Sequence, residues 1–466
     1  MHVNVDKALY PLIGEPNPIA PVPAASTAGW RFVRLSDTPI QVVAIYLFVT
    51  LALPAFLLSI TDSWPDYYRF EEFSVANGSA VFGAIIVACA LRHIQWARTG
   101  EMAVRPRTVF VYSMQQLRVL GLLAAIVVAI INFGNSGFRY DDIGLSDRGS
   151  ISLYVFSIIP ACLKLLLIFH AFVYRGTSAM DRLERALITA AFAASINGTG
   201  TAFVTVFSFI VLQTPALAYL DKRTFSGASP LRIVFLLGVG ALLTGVAALI
   251  LSGAYVYGES VKQEVPLDMV LAGFDSTWTP NYLIERMAPQ YASLVNTLPL
   301  TFDFDRDGLS NLIGVWNTFL FRLEALHLFD FGVDRSSTVP ITRLNLDFIS
   351  SIALTDREGT APGLIPGFIY CFPPIVNVLM LGAYVFMVLG ILQRLCLCMK
   401  EELSLAGKFI LTFFTLPLFE TPIDLLLIID DGFIFFVGLW WMSRLVEVRP
   451  AFSTAWQADP AIKSVP

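Results

Sequence analysis

The chain contains 466 residues, of which 56% are hydrophobic and 14% are charged, and its formal net charge is −5. Soluble domains carry about 25% charged residues, so this composition excludes an ordinary water-facing surface and indicates a polytopic membrane protein. The negative net charge also argues against nucleic acid as a partner. We expect an all-α fold of about ten transmembrane helices, because helices satisfy their own backbone hydrogen bonds in lipid.

Residues 1–38 are rich in Pro and Ala and are predicted to form a cytosolic tail. They contain no apolar run of the roughly 20 residues that a transmembrane helix needs. Four apolar runs follow, at residues 39–60, 76–91, 111–133 and 152–173. The connectors at 92–107 and 174–185 are rich in arginine, so the positive-inside rule assigns both to the cytoplasm.

The uncharged run at 186–220 is too long for one span, and Asn197, Gly198 and Gly200 interrupt it near the middle. We interpret it as two short helices joined at the outer face; one helix plus a re-entrant piece is the alternative. A further span is predicted at 233–255. With the pair, the chain divides into an N-terminal bundle at 39–256, a large external loop at 257–366, C-terminal spans within 367–446 and a cytosolic tail at 447–466. The C-terminal spans are predicted at 367–393, 405–418 and 433–446.

Charged residues also occur within or between the predicted spans. Arg118, Lys164 and His170 lie inside spans, where a charge is either functional or snorkels to the headgroups. Four acidic residues stand between the last two spans and are predicted to lie at the outer surface beneath the loop. They are Glu420, Asp424, Asp430 and Asp431.

The external loop carries 14 acidic residues against seven basic ones. Its apolar runs are untypical of a disordered linker, so it is predicted to be a folded, mostly helical cap on the bundle, with a helix at 312–328. Asp303, Asp305 and Asp307 resemble part of a calcium loop, but Gly314 stands where that loop needs a bidentate glutamate. We therefore expect a solvated acidic turn there and no bound metal.

Three arginines of the loop are candidates for binding phosphate, because the guanidinium fork binds it bidentately and stays charged. Arg286 is predicted to lie near the start of an amphipathic helix, Arg343 after an extended segment at 339–342, and Arg357 in a polar turn. The alternative for each is a surface arginine paired with a neighbouring acid.

Residues 356–372 resemble the segment that closes the large outer loop of Wzy-type oligosaccharide repeat-unit polymerases. In that family a Pro/Gly stretch, here Pro362-Gly363, leads through aromatic residues into an apolar span; the aromatic residues here are Phe368, Tyr370 and Phe372. Upstream, residues 285–299 are similar to the family's arginine helix and residues 339–344 to its Pro-Arg element. The chain departs from the family pattern at Pro373-Pro374, where a glycine is common, and at Asp430-Asp431, where an arginine is common.

The resemblance implies a glycosyltransferase at the periplasmic face of a bacterial inner membrane, with the large loop in the periplasm. It would polymerise lipid-linked repeat units into a surface polysaccharide, using a polyprenyl-pyrophosphate-linked glycan as donor and no metal or nucleotide cofactor. Arg286, Arg343 and Arg357 would bind the pyrophosphate, and a chain-length regulator and a flippase would be partners. The candidates for the general base are Glu358, Asp356 and His327. The alternatives are an O-antigen ligase-like glycosyltransferase and a membrane transporter or flippase.

Overall fold

The computed structural model describes residues 31–34, 37–61, 68–99, 101–106, 278–324, 330–351, 360–398, 415–423, 431–444 and 446–450, with isolated positions between 116 and 269. At some of these positions, Arg286 among them, the backbone alone is described. The predicted spans at 111–133, 152–173, 186–220 and 233–255, with Arg118, Lys164 and His170, fall almost entirely outside the described residues.

Three helices of the described part are long and apolar enough to cross a membrane: Thr38–Ile60, Val75–Arg98 and Val376–Leu397. The first consists of α1 (Thr38–Leu47), a π turn (Phe48–Ala52) and α2 (Leu53–Thr61). The second is α3 (Val75–Thr99). Both coincide with predicted spans in position and helical structure, although α3 continues past the apolar run that ends at residue 91. It does so through Arg92, His93 and Gln95, which do not interrupt helical backbone hydrogen bonding.

The described part of the large loop is helical, as predicted. Its elements are α4 (Trp278–Thr297), a 3₁₀ turn (Leu298–Phe302), α5 (Gly308–Glu324), a second 3₁₀ turn (Arg335–Ser337), α6 (Ile341–Ile349) and α7 (Leu364–Cys371); together they are called the cap here. The helix predicted at 312–328 begins earlier, at Gly308. Asp307 explains this start, because its Oδ1 accepts a hydrogen bond from the Ser310 N–H (3.0 Å) and so caps the helix.

The predicted span at 367–393 is wrong in one respect, because the chain breaks there into two helices. The first is α7, and the second is α8 (Val376–Cys398). Pro373 and Pro374 lie in the break, where they remove two backbone donors, and Ile375 has a φ of 69°. Two further helices follow, α9 (Pro417–Glu420) and α10 (Asp431–Arg444).

Three short strands form an antiparallel sheet that the sequence analysis did not predict. They are β1 (Arg31–Arg34), β2 (Glu101–Pro106) and β3 (Val446–Pro450), in the order β1-β2-β3. Arg31 pairs with Val104, and Met102 pairs with Pro450. β1 precedes α1, β2 follows α3 and β3 follows α10, so the sheet gathers the start of α1 and the ends of α3 and α10 at one end of the bundle, the sheet end.

The cap lies toward the other end of the bundle. Helices α3 and α8 run in the same direction, since Ala84 lies beside Gly382 and the Arg92 Nε donates to the Phe386 carbonyl (2.9 Å) farther along both helices. Their first residues therefore lie away from the sheet. There the Asn77 side chain donates to the Leu298 carbonyl of the cap (2.7 Å).

One apolar core continues from the bundle into the cap. It includes buried residues of α1, α3 and α8 together with cap residues such as Leu298, Val315, Ile341 and Phe368. Burying each large apolar side chain contributes about 1.5–3 kcal/mol. The cap is thus packed into the bundle and is more than a loop tethered at its two ends.

Candidate functional site

Helix α7 starts inside the bundle, where the chain of the cap meets the first span. All eight of its residues are buried. The Tyr46 hydroxyl accepts a hydrogen bond from the Leu364 N–H (3.1 Å) and donates to the Phe419 carbonyl (2.9 Å). These bonds satisfy one of the backbone donors that the start of α7 would otherwise leave unpaired. They also join α1, α7 and α9 at a single side chain.

The depth of this junction follows from a second tyrosine. The Tyr384 hydroxyl donates to the Leu418 carbonyl (2.6 Å). Leu418 directly precedes Phe419, whose carbonyl accepts from Tyr46. Tyr384 is eight residues beyond Val376, which corresponds to about 12 Å along α8. The start of α7 therefore lies about two turns along α8 from the end of that helix that is nearer the cap.

Gly363 begins α7 in a backbone conformation that only glycine adopts readily. Its φ of 85° and ψ of 176° belong to a region closed to residues with a Cβ. A Cβ at this position would lie 3.2 Å from the Tyr46 hydroxyl, and the Gly363 N–H donates to the Glu420 carbonyl (2.8 Å). The Pro/Gly stretch singled out in the sequence thus turns the chain tightly into the bundle.

A small pocket lies beside this turn. It is lined by Tyr46, Leu47, Leu51, Gln290 and residues 362–366. Its wall includes part of the π turn in the first span, and π turns are often found at functional sites. The Gln290 Oε1 lies 3.5 Å from the Tyr46 hydroxyl, which places a polar group of α4 at the pocket.

Arg343 is the one predicted site residue whose side chain the structure describes. It lies in the first turn of α6, because the helix starts directly after Pro340; the extended segment predicted before it ends at that proline. Its Nε forms an ion pair with the Asp347 carboxylate one turn later (3.0 Å), and about a quarter of its side chain is exposed. This is the pairing with a neighbouring acid that the surface-arginine alternative predicts; an exposed pair of this kind contributes about 0.3–0.5 kcal/mol.

Arg286 lies on α4, which packs in parallel against α6. Ala292 packs with Leu346 and Ile349. Farther along α4, the Asn296 side chain donates to the Arg69 carbonyl, and the Arg69 N–H donates to the Ile349 carbonyl at the end of α6. Both helices therefore run in the same direction. Arg286 precedes Ala292 by about 9 Å along α4, and Arg343 precedes Leu346 by about 4.5 Å along α6. The backbones of both arginines are therefore on the same side of this contact, toward the depth of Gln290.

A buried polar network connects α6 to the end of the motif segment. The Tyr370 hydroxyl donates to the Asn345 Oδ1 (3.0 Å), and the Asn345 Nδ2 donates to the Thr360 carbonyl (3.1 Å). The Thr360 N–H donates in turn to the Thr342 carbonyl, next to Arg343 (3.0 Å). Thr360 follows the segment that contains Asp356, Arg357 and Glu358, so that segment ends against the helix of Arg343.

The other predicted site residues, Asp356, Arg357, Glu358 and His327, lie outside the described residues. The aromatic residues of the resemblance, Phe368 and Tyr370, are almost completely buried and pack in the core. The site also contains residues that the sequence analysis gave no role; they are Tyr46, Gln290 and Asn345. The hydrogen-bond partners of these residues are distant in sequence. The one local signal is that Gln290 and Asn345 are amides among apolar residues.

Glu420 lies beside the start of α7, because its carbonyl accepts the Gly363 N–H; its predicted place at the outer surface stays a prediction. Within the part of the chain that the structure describes, no group of three or more His, Cys, Asp or Glu residues could hold a metal ion. The junction thus combines an arginine-bearing helix, the side-chain amides of Gln290 and Asn345 and the acidic residue Glu420. No protein-family model, curated protein or solved structure matches this chain.

Proposed function

We propose that the protein is a multi-pass glycosyltransferase of a bacterial inner membrane that polymerises lipid-linked oligosaccharide repeat units into a surface polysaccharide. One observation supports the proposal most. The arginine-bearing helices α4 and α6, the Pro/Gly turn and Glu420 meet in one packed junction where the cap joins the bundle. A membrane-embedded arginine is by default a functional feature, because a charge there is costly.

The proposed topology has ten spans, both termini in the cytoplasm and the cap in the periplasm. Two features support it. The sheet joins three segments that this topology assigns to the same side. Many basic residues also stand at or near the sheet end, and the positive-inside rule assigns such an end to the cytoplasm. They are Arg31, Arg34, Arg92, Arg98, Arg105, Arg394, Arg444 and Arg449.

In the proposed reaction, a hydroxyl oxygen of the acceptor repeat unit attacks the anomeric carbon of the donor glycan. The bond from that carbon to the pyrophosphate oxygen breaks, and polyprenyl pyrophosphate leaves with the electron pair. Fixed guanidinium groups stabilise the developing charge, and Arg286, Arg343 and Arg357 are the proposed donors. The hydroxyl proton goes to a general base, for which Glu358, Asp356 and His327 are the candidates.

The buried junction contributes positioning to this reaction. Tyr46, Gly363 and Asn345 fix the chain that directly follows the motif segment 356–358. Packing of the cap into the bundle would also exclude water from the donor, which would otherwise be hydrolysed. No metal or nucleotide is needed in the proposal, because the lipid pyrophosphate already activates the sugar.

Transport of a lipid-linked glycan is a second candidate function, and one observation favours it. The π turn in the first span and the break between α7 and α8 are discontinuities of the kind that transporters use at their substrate sites. The size and close packing of the cap favour the transferase over this alternative.

Analysis of lipid-linked glycans in a deletion strain tests the proposal. Loss of a polymerase leaves single repeat units on the lipid at the periplasmic face. Full-length chains that remain on the lipid would indicate a ligase, and single units held at the cytoplasmic face would indicate a flippase. An unchanged glycan pattern would overturn all three assignments.

A further inference from the structure

Arg306 is a cap residue whose guanidinium group is incompletely paired. Its Nη2 donates to the Phe372 carbonyl (2.8 Å). Its Nε and Nη1 are shielded from solvent and make no hydrogen bond within the described structure. Burial has the largest effect on the guanidinium group and lowers the pKa of Arg306 below its ordinary value, although the nearby Asp303 carboxylate acts to raise that pKa. An arginine remains charged even so, because its ordinary pKa is above about 12.

Such an arrangement is costly unless something binds the two nitrogens. A buried donor without a partner costs about 1–3 kcal/mol, and more when the group is charged. A guanidinium group has two edges, Nε with Nη2 and Nη1 with Nη2, and each edge can donate two parallel N–H groups to two oxygens of a phosphate or carboxylate. Nη2 keeps one N–H besides the one it donates to the Phe372 carbonyl, so a phosphate group could accept that N–H together with one from an unpaired nitrogen.

The surroundings of Arg306 contain further unpaired polar atoms. The Thr301 hydroxyl and the Asn377 Oδ1 are also buried without a partner in the described residues. Asn377 donates its Nδ2 to the Thr301 carbonyl (3.0 Å), so the two residues lie side by side. The segments 301–308 and 372–377 meet here, and they carry four of the five unpartnered buried side-chain atoms that the described part contains.

The position of Arg306 suits a lipid headgroup. Phe372, its hydrogen-bond partner, lies four residues before the start of α8, at the outer end of that span. Exposed apolar residues flank it on both elements: Phe304, Leu309 and Ile313 on the cap, and Ile375 and Leu379 at the start of α8. A cation with exposed apolar residues on both sides at the end of a span matches an amphiphile with a phosphate head and a hydrocarbon tail.

We propose that Arg306 binds the phosphate group of a membrane lipid at the outer end of α8. The ligand chemistry is a phosphate monoester, diester or diphosphate with a hydrocarbon tail. Both a bulk phospholipid and a polyprenyl pyrophosphate carry it. The site does not depend on the proposed glycosyl transfer, although a polyprenyl pyrophosphate would connect the two.

The test measures binding of three probes to the purified full-length protein in a neutral detergent by native mass spectrometry. The probes are farnesyl pyrophosphate, phosphatidylglycerol and inorganic pyrophosphate. We expect Arg306→Gln to weaken binding of at least one lipid probe by tenfold or more, and Arg306→Lys to have an intermediate effect because it keeps the charge but loses the fork. Arg98→Gln, at the sheet end of α3, is the matched control and should change nothing.

The pattern of probes identifies the source of the phosphate. Loss of farnesyl pyrophosphate binding alone indicates a polyprenyl pyrophosphate, whereas an equal loss for phosphatidylglycerol indicates a general headgroup site. Unchanged binding of all three probes to a folded Arg306→Gln protein, as judged by its thermal unfolding, overturns the proposal. A loss seen for inorganic pyrophosphate without any lipid probe overturns it as well, because the apolar surface would then play no part.

Discussion

Tyr46 in the first span and Gly363 at the entry to α7 lie so close that a Cβ at residue 363 would be 3.2 Å from the tyrosine hydroxyl. The same hydroxyl accepts the N–H of Leu364, which is 318 residues away in the chain. This contact fastens the end of the cap to the start of the bundle.

Tyr46→Phe and Gly363→Ala should each destabilise the protein. The phenylalanine leaves the Leu364 N–H and the Phe419 carbonyl unpaired, which costs about 1–3 kcal/mol per buried group. The alanine enters a backbone region that is nearly restricted to glycine, at a cost of about 1–3 kcal/mol. Thermal unfolding in detergent measures both changes, and Ser59→Ala, which removes only an exposed local bond, is the control.

The double variant separates the two causes. Removing the hydroxyl gives the alanine Cβ more room, so Tyr46→Phe with Gly363→Ala should lose less stability than the two single variants together. Strict additivity would show that the hydroxyl and residue 363 do not interact.

The sequence predicted the elements whose signals are local. The apolar runs identified the first two spans, and Leu312, Ile313 and Val315 in an otherwise polar loop indicated the cap helix. The break before α8 was visible in Pro373-Pro374 but was noted only as a departure from a family pattern. A proline pair inside an apolar run removes two backbone donors, which is sufficient reason to end a helix.

The sheet and the junction could not be predicted from local patterns. β1 has four residues and β3 five, which is too short for alternation of polar and apolar residues to be informative. The role of Tyr46 depends on carbonyl and N–H groups of Phe419 and Leu364, far along the chain. A tyrosine in an apolar run gives no indication of such partners, because its apolar ring suits a span equally well.

Asn345→Leu should release the end of the motif segment from α6. The substitution removes the donor to the Thr360 carbonyl and leaves the buried Tyr370 hydroxyl unpaired. We expect about 1–3 kcal/mol of destabilisation and several-fold faster trypsin cleavage after Arg357. Asn317→Leu is the matched control, because the hydrogen bond that Asn317 donates to the Ser337 carbonyl lies on an exposed part of the cap. Equal cleavage rates in the two variants would show that the network does not anchor the segment.

The proposed topology predicts opposite accessibility of two single cysteines in a chain whose native cysteines are replaced. Asp305, which is exposed, is in the cap, and Arg98 is at the sheet end of α3. A membrane-impermeant maleimide applied to spheroplasts should label Asp305→Cys, and it should label Arg98→Cys only after lysis. The reverse pattern would place the cap in the cytoplasm and exclude a periplasmic reaction.

Arg286→Ala should abolish polymer while the protein still inserts and folds. The reason is that a fixed positive charge near the developing pyrophosphate is worth about 3 kcal/mol or more, a hundredfold or greater loss of rate. Polymer length on gels measures the activity. Arg69→Ala is the control, because Arg69 is an exposed arginine beside the other end of α4, next to Asn296. Normal chain lengths in Arg286→Ala would remove this residue from the mechanism.

Arg343 allows the functional role to be separated from a surface ion pair, because its partner Asp347 is known. If the pair is only structural, Arg343→Ala and Asp347→Asn should have the same effect, about 0.3–0.5 kcal/mol of stability and none on polymer. If Arg343 binds pyrophosphate, Arg343→Ala should abolish polymer and Asp347→Asn should retain it, since the guanidinium persists.

Arg343→Lys tests whether the geometry of the guanidinium matters. A lysine ammonium cannot supply two parallel N–H groups, so this variant should restore little activity. Full activity in the lysine variant would reduce the role to simple charge, and equal loss in the alanine and asparagine variants would indicate that the ion pair itself maintains the site.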